Sequence, residues 1–291
     1  MTRRLVLDSP SLIYRAFFAL PATIRSPHGT PVNAIRGYLD MVAHLLRTEK
    51  PGMVIHTFDE DWRPQWRVDA YSGYKAQRRD DPGELPPQFP IIQAVVDALG
   101  HPRVGMPAHE ADDVIGTLAA RATANEPVVV VSGDRDMLQL VRDPEVLVLF
   151  PVKGVKEVHR YDEAEVLSRQ GVPAARYADY AILRGDTSDG LPGLRGVGAK
   201  TAAQLVRGYP SIEALIAGAR RESLRLSQAI AQQADYLRAM TQIVPVVRDL
   251  ALPDLVQGVP DRSALDALGQ QHGIESPVSR LLDATEAMLR S

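Results

Sequence analysis

Residues 128–136 read Val-Val-Val-Val-Ser-Gly-Asp-Arg-Asp, a run of four valines that leads directly into a small turn and two acidic residues. Two other apolar runs end in the same way, Leu5-Val6-Leu7 before Asp8 and Met53 to Phe58 before Asp59. Short apolar runs bounded by turn residues are typical of strands buried on both faces of a parallel sheet. The three segments therefore predict the central strands of the fold.

Apolar residues at helical spacing lie between and after these strands. Ile35, Leu39, Val42 and Leu46 form one such series, and Val114, Leu118 and Ala122 form another after Glu110. A fourth apolar run, Val146 to Phe150, predicts a further strand, and from Pro173 onward the chain looks helical. Strands that alternate with helices predict an α/β fold with a parallel-type central sheet and helices on both faces.

Composition limits the classes of protein that this chain can belong to. With 45% hydrophobic and 24% charged residues it is typical of a soluble globular protein, and its formal net charge is −3. Without Cys, a disulfide framework, a thiolate nucleophile and a Cys-ligated zinc site are excluded. We expect a cytoplasmic, nucleoid-associated bacterial protein, because the N-terminus lacks the apolar stretch of a signal peptide and no segment reaches membrane-spanning length.

Acidic residues stand where the predicted strands end, and the carboxyl ends of parallel strands meet at one edge of a sheet. Two more acidic groups are Glu110-Ala111-Asp112-Asp113, which opens a helix, and the pair Asp186 and Asp189. A single Asp after a strand is more often a turn former or a helix cap, and acids in a first helical turn are favourable anyway. The coincidence of several groups instead favours a site for divalent cations, since clustered carboxylates repel one another and oxygen ligands suit Mg²⁺ or Mn²⁺. The candidate metal ligands are Asp8, Asp59, Glu110, Asp112, Asp113, Asp134, Asp136, Asp186 and Asp189.

A basic, aromatic segment follows the second strand. Residues 63–79 contain Arg63, Arg67, Lys75, Arg78 and Arg79, interleaved with Trp66, Tyr71 and Tyr74. Basic residues among aromatic ones suit a nucleic-acid strand, because cations meet phosphates and rings stack on bases. A solvated loop with rings packed beneath it explains the same composition, and the residues alone leave both interpretations open.

A glycine-rich turn opens a helix near Ala199. Gly193-Leu194-Arg195-Gly196-Val197-Gly198 matches a helix-hairpin-helix turn, in which backbone N–H groups approach phosphates. Residues 195–238 carry a local charge of +4, which suits the same role. A helix C-cap is the alternative explanation of the glycines.

Seven sequence blocks, taken together and in order, resemble the flap endonuclease family, most closely the 5′-nuclease domain at the N-terminus of bacterial DNA polymerase I, here as a stand-alone protein. The blocks are Leu5-Val6-Leu7-Asp8 with Tyr14-Arg15, Phe58-Asp59, Tyr74-Lys75-Ala76-Gln77-Arg78, Glu110-Ala111-Asp112-Asp113, Gly133-Asp134-Arg135-Asp136, Gly185-Asp186-Thr187-Ser188-Asp189 and the glycine turn. The resemblance implies a PIN-like nuclease core over residues 1–172 with a helical arch at about 68–105. It also implies a helical region over 173–291, with a DNA-binding hairpin at about 185–240 and C-terminal helices that pack back on the core.

The resemblance also implies how the residues act. One metal ion would bind near Asp8, Asp59, Glu110 and Asp112, and another near Asp134, Asp136, Asp186 and Asp189, with Asp112 shared and Asp113 a further candidate. Lys75 and Arg78 would be catalytic residues that contact the scissile phosphate. The implied DNA-binding residues are Tyr14, Arg15, Tyr74, Arg79, Gly193, Arg195, Gly196, Gly198, Lys200 and Thr201, with K⁺ held by carbonyls of the hairpin.

The expected activity is therefore 5′-3′ exonuclease and flap endonuclease cleavage of branched, nicked or flapped DNA by two metal ions, in replication or repair. We expect a monomer, and its protein partners cannot be read from the sequence. Two rivals are a non-catalytic DNA-binding protein and a toxin-like ribonuclease, which would lack the hairpin and the arch. The chain departs from the family pattern at Ser9-Pro10, where Gly and a polar residue are usual, and at Gly190, where Asn is common.

Overall fold

The computed structural model describes residues 3–78 and 80–290, whose strands form one six-stranded sheet. The strands are β1 (Arg4–Asp8), β2 (Met53–Thr57), β3 (Arg103–Val104), β4 (Val128–Val131), β5 (Val146–Pro151) and β6 (Val158–Tyr161). Their order across the sheet is β3-β2-β1-β4-β5-β6. Neighbouring strands run parallel except β5 and β6, which are antiparallel. The α/β prediction is confirmed.

Helices cover both faces of the sheet. Successive side chains of a buried strand point to opposite sides, so each strand contributes to two apolar layers that need a cover. Leu5 and Leu7 belong to the apolar layer on one face, and Val6 belongs to the layer on the other. The apolar cluster on the first face includes residues of α1 (Ser9–Ala19), α2 (Asn33–Glu49), α4 (Gln88–Ala98), α12 (Arg262–His272) and α13 (Glu275–Leu289). The cluster on the second face includes residues of α5 (Ala111–Ala120), α6 (Glu163–Gln170), α7 (Tyr177–Arg184), α8 (Ala199–Gly208), α9 (Ile212–Gly218), α10 (Leu224–Gln232) and α11 (Ala234–Ile243). In the described ranges, no helix is both long and apolar enough to cross a membrane.

The acidic residues at the strand ends also start the helical segments that follow. The Asp8 side chain accepts a hydrogen bond from Ser11 N at the start of α1. Asp134 accepts one from Asp136 N at the start of the 3₁₀ helix Arg135–Leu140. Glu110 is the N-cap residue of α5. The capping interpretation of these acids therefore holds at the same positions as the proposed cation site, since one carboxylate has several acceptor positions.

A segment without regular secondary structure, residues 245–261, carries the chain from α11 back to the first face. Val247 N donates to Asp113 Oδ1 at 3.0 Å, and Gly258 N donates to Gly100 O at 2.7 Å. The segment lies so close to α5 that a Cβ atom on Gly116 would be 2.4 Å from Val247 O. After it, α12 packs against α4 and α13 packs against α2.

Residues 68–105 are less helical than the expected arch. In the described part of this range, all but residue 79, the α-helical residues are the end of α3 (Gln65–Ala70) and α4. Ile92, Val95 and Val96 are buried, so α4 belongs to the core. Prolines at 82, 86 and 87 interrupt helical hydrogen bonding, and residues 71–78 and 80–87 contain turns where the expected arch helix would lie.

Candidate active site

Asp8, Asp59 and Asp134 meet at one edge of the sheet, because they stand at or just beyond the carboxyl ends of the parallel strands β1, β2 and β4. Burial, with the charges of Asp134 and Asp59, raises the pKa of Asp8 to about 7. Burial also raises the pKa of Asp134, and the charge of Asp186 adds to this effect. The acids from the sheet and from the loop after α7 therefore form one negatively charged cluster.

Asp112 and Asp136 lie inside this cluster. Burial raises the pKa of Asp112 well above its usual range, and Asp134 and Asp8 contribute to the shift. Burial likewise raises the pKa of Asp136 well above its usual range, with Asp134, Asp186 and Asp189 contributing. Raised carboxyl pKa values of this kind mean that the free acids repel one another in a site with little water.

The donors in the cluster suit a hard divalent cation. They are all carboxylate oxygens, and Oδ1 of Asp136 is buried with no hydrogen-bond partner. Within residues 3–78 and 80–290, however, no three acidic or histidine side chains are already arranged closely enough to hold a metal ion. The residue types fit the cation, and the carboxylates would have to close around it, as mutually repelling groups do when a cation removes the repulsion.

Lys75 and Arg78, the candidate catalytic residues, already contact the acidic cluster. Lys75 Nζ pairs with Glu110 Oε1, and Arg78 Nη2 lies 3.3 Å from Asp189 Oδ1. The backbone of Lys75 is left-handed, with φ of 50°, and its N–H donates to Asp189 O at 2.8 Å. These two cations therefore sit beside the carboxylates and offset part of their charge.

Asp113 has different partners from the other candidate ligands. Arg67 donates to its Oδ1 at 2.7 Å and to its Oδ2 at 2.9 Å, and Val247 N donates to Oδ1. Asp113 is fully buried, and Arg67 pairs with Glu110 as well. The bidentate pair with a single guanidinium indicates that Asp113 is the structural partner of Arg67 in this structure.

The basic, aromatic segment packs mainly inward. Tyr74 is 5% exposed and donates to Glu110 Oε2 at 2.6 Å, while Arg67 is 2% exposed. Arg63 donates to Tyr74 O at 2.7 Å, and Trp66 Nε1 donates to Ala108 O at 3.1 Å. The interpretation with rings packed beneath the loop therefore describes these side chains. Tyr74, which we expected to bind DNA, is buried in this structure and hydrogen-bonds to Glu110.

Tyr14 and Arg15 lie on α1 near the acidic edge. The Tyr14 hydroxyl donates to Asp81, and its ring packs edge-on against Phe89. Arg15 lies against the turn after β4, where a Cβ atom on Gly133 would be 2.7 Å from Arg15 Nη2. The Nε atom of Arg15 is buried without a hydrogen-bond partner. Arg79, another residue expected to bind DNA, lies outside the described residues.

The glycine turn forms an open hairpin before α8. A groove of about 800 Å³ is lined by residues 192–198 with Gln232 and Gln233. Gln233 accepts from Arg195 N at 2.8 Å and donates to Gly193 O at 3.1 Å, so it braces the hairpin. Arg195, Gly196, Gly198 and Lys200 are exposed, Thr201 is half-buried and Gly193 is buried. The exposed side chains and the N-terminus of α8 can therefore meet a phosphate backbone.

A second groove, of about 500 Å³, borders the acids and is lined in part by Asp134, Arg184 and Asp186. Two of the groups that act on the cluster were not predicted. Ser132 donates to Asp8 Oδ2, and the charge of Arg184 opposes the raised pKa of Asp136. Ser132 stands in the Ser-Gly-Asp turn after β4, which is a usable sequence signal, whereas the position of Arg184 depends on how α7 packs.

Family models match the chain along most of its length. The model described as 5′-3′ exonuclease, N-terminal resolvase-like domain, matches residues 3–171, and that described as 5′-3′ exonuclease, C-terminal SAM fold, matches residues 172–271. A 5′-3′ exonuclease of Streptomyces coelicolor is 43% identical over 97% of this chain and 100% of its own length. DNA polymerase I of Mycobacterium bovis is 41% identical over 97% of this chain, which spans 30% of that larger protein.

Solved structures with the same fold have little sequence identity to the chain. A bacteriophage T5 flap endonuclease, in a pseudo-enzyme–product complex with DNA and metal ions, matches with a TM-score of 0.67 and 15% identity, covering 99% of this chain and 100% of that one. Flap endonuclease-1 from Methanococcus jannaschii matches with a TM-score of 0.65 and 17% identity, covering 98% and 93%. At such identities the likeness concerns the fold.

Proposed function

Since the chain belongs to the 5′-3′ exonuclease family, a family of nucleases, we propose that it is a structure-specific 5′ nuclease that cuts branched, nicked or flapped DNA with divalent cations. One observation carries the proposal. Carboxylates from three strand ends, from the start of α5 and from the loop after α7 converge beside a groove and act on one another's pKa values. We further propose that the protein acts as a monomer in DNA replication or repair.

Eight carboxylates would hold two cations, Mg²⁺ or Mn²⁺. The charges that act on each acid support two overlapping groups, which Asp112 and Asp134 connect. The groups are Asp8, Asp59, Glu110 and Asp112 for one ion, and Asp134, Asp136, Asp186 and Asp189 for the other. When bound, the cations activate water and stabilise negative charge on the phosphate. The T5 flap endonuclease, whose structure contains DNA and metal ions, has the same fold and supports this assignment.

Lys75 and Arg78 would position the phosphate. Each now pairs with a carboxylate, Lys75 with Glu110 and Arg78 with Asp189. When cations neutralise these acids, the ammonium and the guanidinium groups become available to the phosphate oxygens of the DNA. Preorganised cations beside a phosphate stabilise the charge that develops during hydrolysis.

The hairpin would hold the duplex part of the substrate. Arg195 and Lys200 are exposed beside the N-terminus of α8, where N–H groups and the helix dipole favour phosphate. Gln233 keeps the turn in shape through both of its hydrogen bonds. Free carbonyls of the hairpin are candidate ligands for K⁺, but Gly193 O already accepts from Gln233.

Cleavage of labelled substrates tests the proposal. The purified chain is incubated with 5′-flap DNA, nicked DNA and an RNA hairpin, with Mg²⁺, with Mn²⁺ or with excess EDTA, and products are mapped on a sequencing gel. We expect cuts near the junction of the flap that depend on the cation. Cleavage at an unchanged rate in EDTA would reject the metal mechanism, and faster cutting of RNA than of flap DNA would favour the ribonuclease alternative.

A further inference from the structure

Five buried polar side chains form a hydrogen-bonded chain beneath the acidic cluster. Ser9 Oγ is 2.7 Å from Tyr38 OH, which is 2.6 Å from His56 Nδ1. His56 Nε2 is 3.1 Å from His101 Nδ1, and His101 Nε2 is 2.9 Å from Thr285 Oγ1. All five residues are at most 3% exposed. We call this set of residues the Ser9–Thr285 chain.

The direction of every hydrogen bond in this chain follows from its far end. Thr285 donates its only hydroxyl proton to Leu281 O, so it must accept from His101 Nε2–H. Burial lowers the pKa of His101 to about 3 and that of His56 well below its usual range, so both rings are neutral. A neutral imidazole has one donor and one acceptor. His56 therefore donates to His101, Tyr38 donates to His56, and Ser9 donates to Tyr38.

Two members of the Ser9–Thr285 chain lie close in sequence to proposed metal ligands. Ser9 follows Asp8 directly, and His56 lies in β2, three residues before Asp59. Burial raises the pKa of the Tyr38 hydroxyl, and the charge of Asp8 adds to the shift. The Thr57 side chain in β2 donates to Leu7 O in β1 at 2.9 Å, in addition to the backbone pairing of these two strands. The end of β1 and the end of β2 are thus tied together directly below their carboxylates.

The last member of the Ser9–Thr285 chain, Thr285, lies in α13, far from Ser9 in the sequence. Thr285 is in this last helix, which begins at Glu275, beyond the residues 172–271 matched by the C-terminal family model. The helix packs against α2, which carries Tyr38.

We infer that the Ser9–Thr285 chain is a set of positioning residues, namely Ser9, Tyr38, His56, His101 and Thr285. These residues set the separation of Asp8 and Asp59, and in this way they couple helix α13 to the metal site. The inference rests on the proposed function. The coupling arises because buried polar groups need hydrogen-bond partners. Loss of one hydroxyl leaves the neighbouring donor or acceptor unsatisfied, and the remaining groups shift to form new hydrogen bonds. Such a shift reaches Asp8 through the backbone of Ser9.

Two substitutions test the inference with little change in volume. Tyr38→Phe removes the hydroxyl in the middle of the Ser9–Thr285 chain, and Thr285→Val removes it at the far end. Matched controls are Tyr209→Phe, whose hydroxyl bonds Glu222 at 2.7 Å, and Thr48→Val, whose hydroxyl bonds His44 O at 3.0 Å. For each variant we would measure Mn²⁺ binding without DNA by calorimetry, kcat and KM on flap DNA, and thermal unfolding.

We expect Tyr38→Phe to weaken Mn²⁺ binding and to lower kcat by about 10-fold each, as loss of a partner behind a metal ligand does, with KM for DNA unchanged. Thr285→Val should act in the same direction, and the double variant should be no worse than Tyr38→Phe alone, because residues of one network are not additive. The controls should match the wild type.

Other outcomes overturn the inference. Variants that unfold at lower temperature but keep wild-type Mn²⁺ binding and kcat would show a structural role alone, and fully additive losses would show that the residues are not one unit. If the wild type binds Mn²⁺ but cuts no DNA, the proposed function fails, and Mn²⁺ binding alone decides the inference. If the wild type neither binds Mn²⁺ nor cuts DNA, both fail.

Discussion

Glu110 illustrates how single residues balance the charge of the acidic cluster in this structure. Its two oxygens accept from Lys75, from Arg67 and from the Tyr74 hydroxyl, although the residue is only 3% exposed. A buried carboxylate is tolerated when it is paired and hydrogen-bonded. Lys75 and Arg67 therefore neutralise part of the negative charge of the cluster, and bound metal ions would neutralise the rest.

Substitution of Asp134 should change the cleavage rate, DNA binding and the free energy of unfolding in different ways. We expect Asp134→Asn to lower the cleavage rate at least 1,000-fold while flap DNA still binds, because a neutral amide is a weaker ligand for divalent cations. Burial raises the pKa of Asp134, which means that the folded protein disfavours the charged form. The same substitution should therefore raise the free energy of unfolding of the metal-free protein.

Kinetics, a DNA-binding assay and urea unfolding in EDTA measure these three effects. Asp266→Asn, in an exposed position on α12, is the matched control and should change none of them. If Asp134→Asn destabilised the metal-free protein, the proposed repulsion among the acids would be wrong.

At the scale of elements, the turn that carries Lys75 docks against the loop after α7. Gly190 has φ of 71°, and a Cβ atom on it would be 2.5 Å from Gly73 O. On the same side, Lys75 N donates to Asp189 O. The close approach of this turn leaves no room for a side chain at position 190.

Gly190→Ala should push the Lys75 turn away from Asp189. We expect the free energy of unfolding to fall by about 2 kcal/mol, from the left-handed backbone and the clash together, and kcat to fall with it. Gly208→Ala is the control, because a Cβ atom there meets nothing within 4 Å. Thermal unfolding and flap cleavage report the result, and equal behaviour of the two variants would contradict the docked arrangement.

The pair His56 and His101 joins β2 to the segment before β3 and should make the protein sensitive to acid. Their folded-state pKa values lie below the unfolded value near 6.5, and that of His101 is about 3. The stability that each contributes is therefore fully present above pH 6.5 and is lost as the pH falls towards 3, by about 1.4 kcal/mol per pH unit.

Proton NMR of the imidazole C–H groups checks this pH dependence directly. Neither ring should show a titration midpoint between pH 8 and pH 5 in the folded protein. A midpoint near 6.5 for either histidine would mean that the ring reaches water, and that the neutral hydrogen-bonded arrangement is wrong.

At the scale of the whole molecule, the sheet edge and the hairpin belong to different parts of the chain that share one apolar layer. Val130 of β4, Leu183 of α7 and Leu205 of α8 lie in the same buried cluster. Residues 245–261 and the last two helices then return to the opposite face. The proposed metal ligands before and after residue 172 are therefore held by one continuous core.

Divalent cations should stabilise this whole assembly. A cation that binds only the folded protein raises the free energy of unfolding by about 2.7 kcal/mol at 100 times its dissociation constant. We expect Mg²⁺ or Mn²⁺ to raise the unfolding temperature of the wild type, and to do so much less for Asp134→Asn. Calorimetric scans with and without EDTA measure the shift, and no shift with either ion would argue against the metal site.

The central strands of the sheet and the place of the acids could be predicted from local features of the amino-acid chain. Runs of apolar residues report local backbone preference, and parallel strands bring their carboxyl ends to one edge whatever lies between them. For this reason Asp8, Asp59 and Asp134 could be placed together before any coordinates were known. The glycine turn before α8 was equally readable, because its backbone requirements are local.

The partner of each side chain, in contrast, depends on the folded arrangement of distant segments. Asp112 and Asp113 are neighbours in sequence, but helical geometry turns one into the acidic cluster and the other towards Arg67. Ser9 and Thr285 lie at opposite ends of the chain and share one buried network. Such pairings depend on how distant helices pack on the sheet, and a one-dimensional pattern contains no information about the direction in which a side chain finally points.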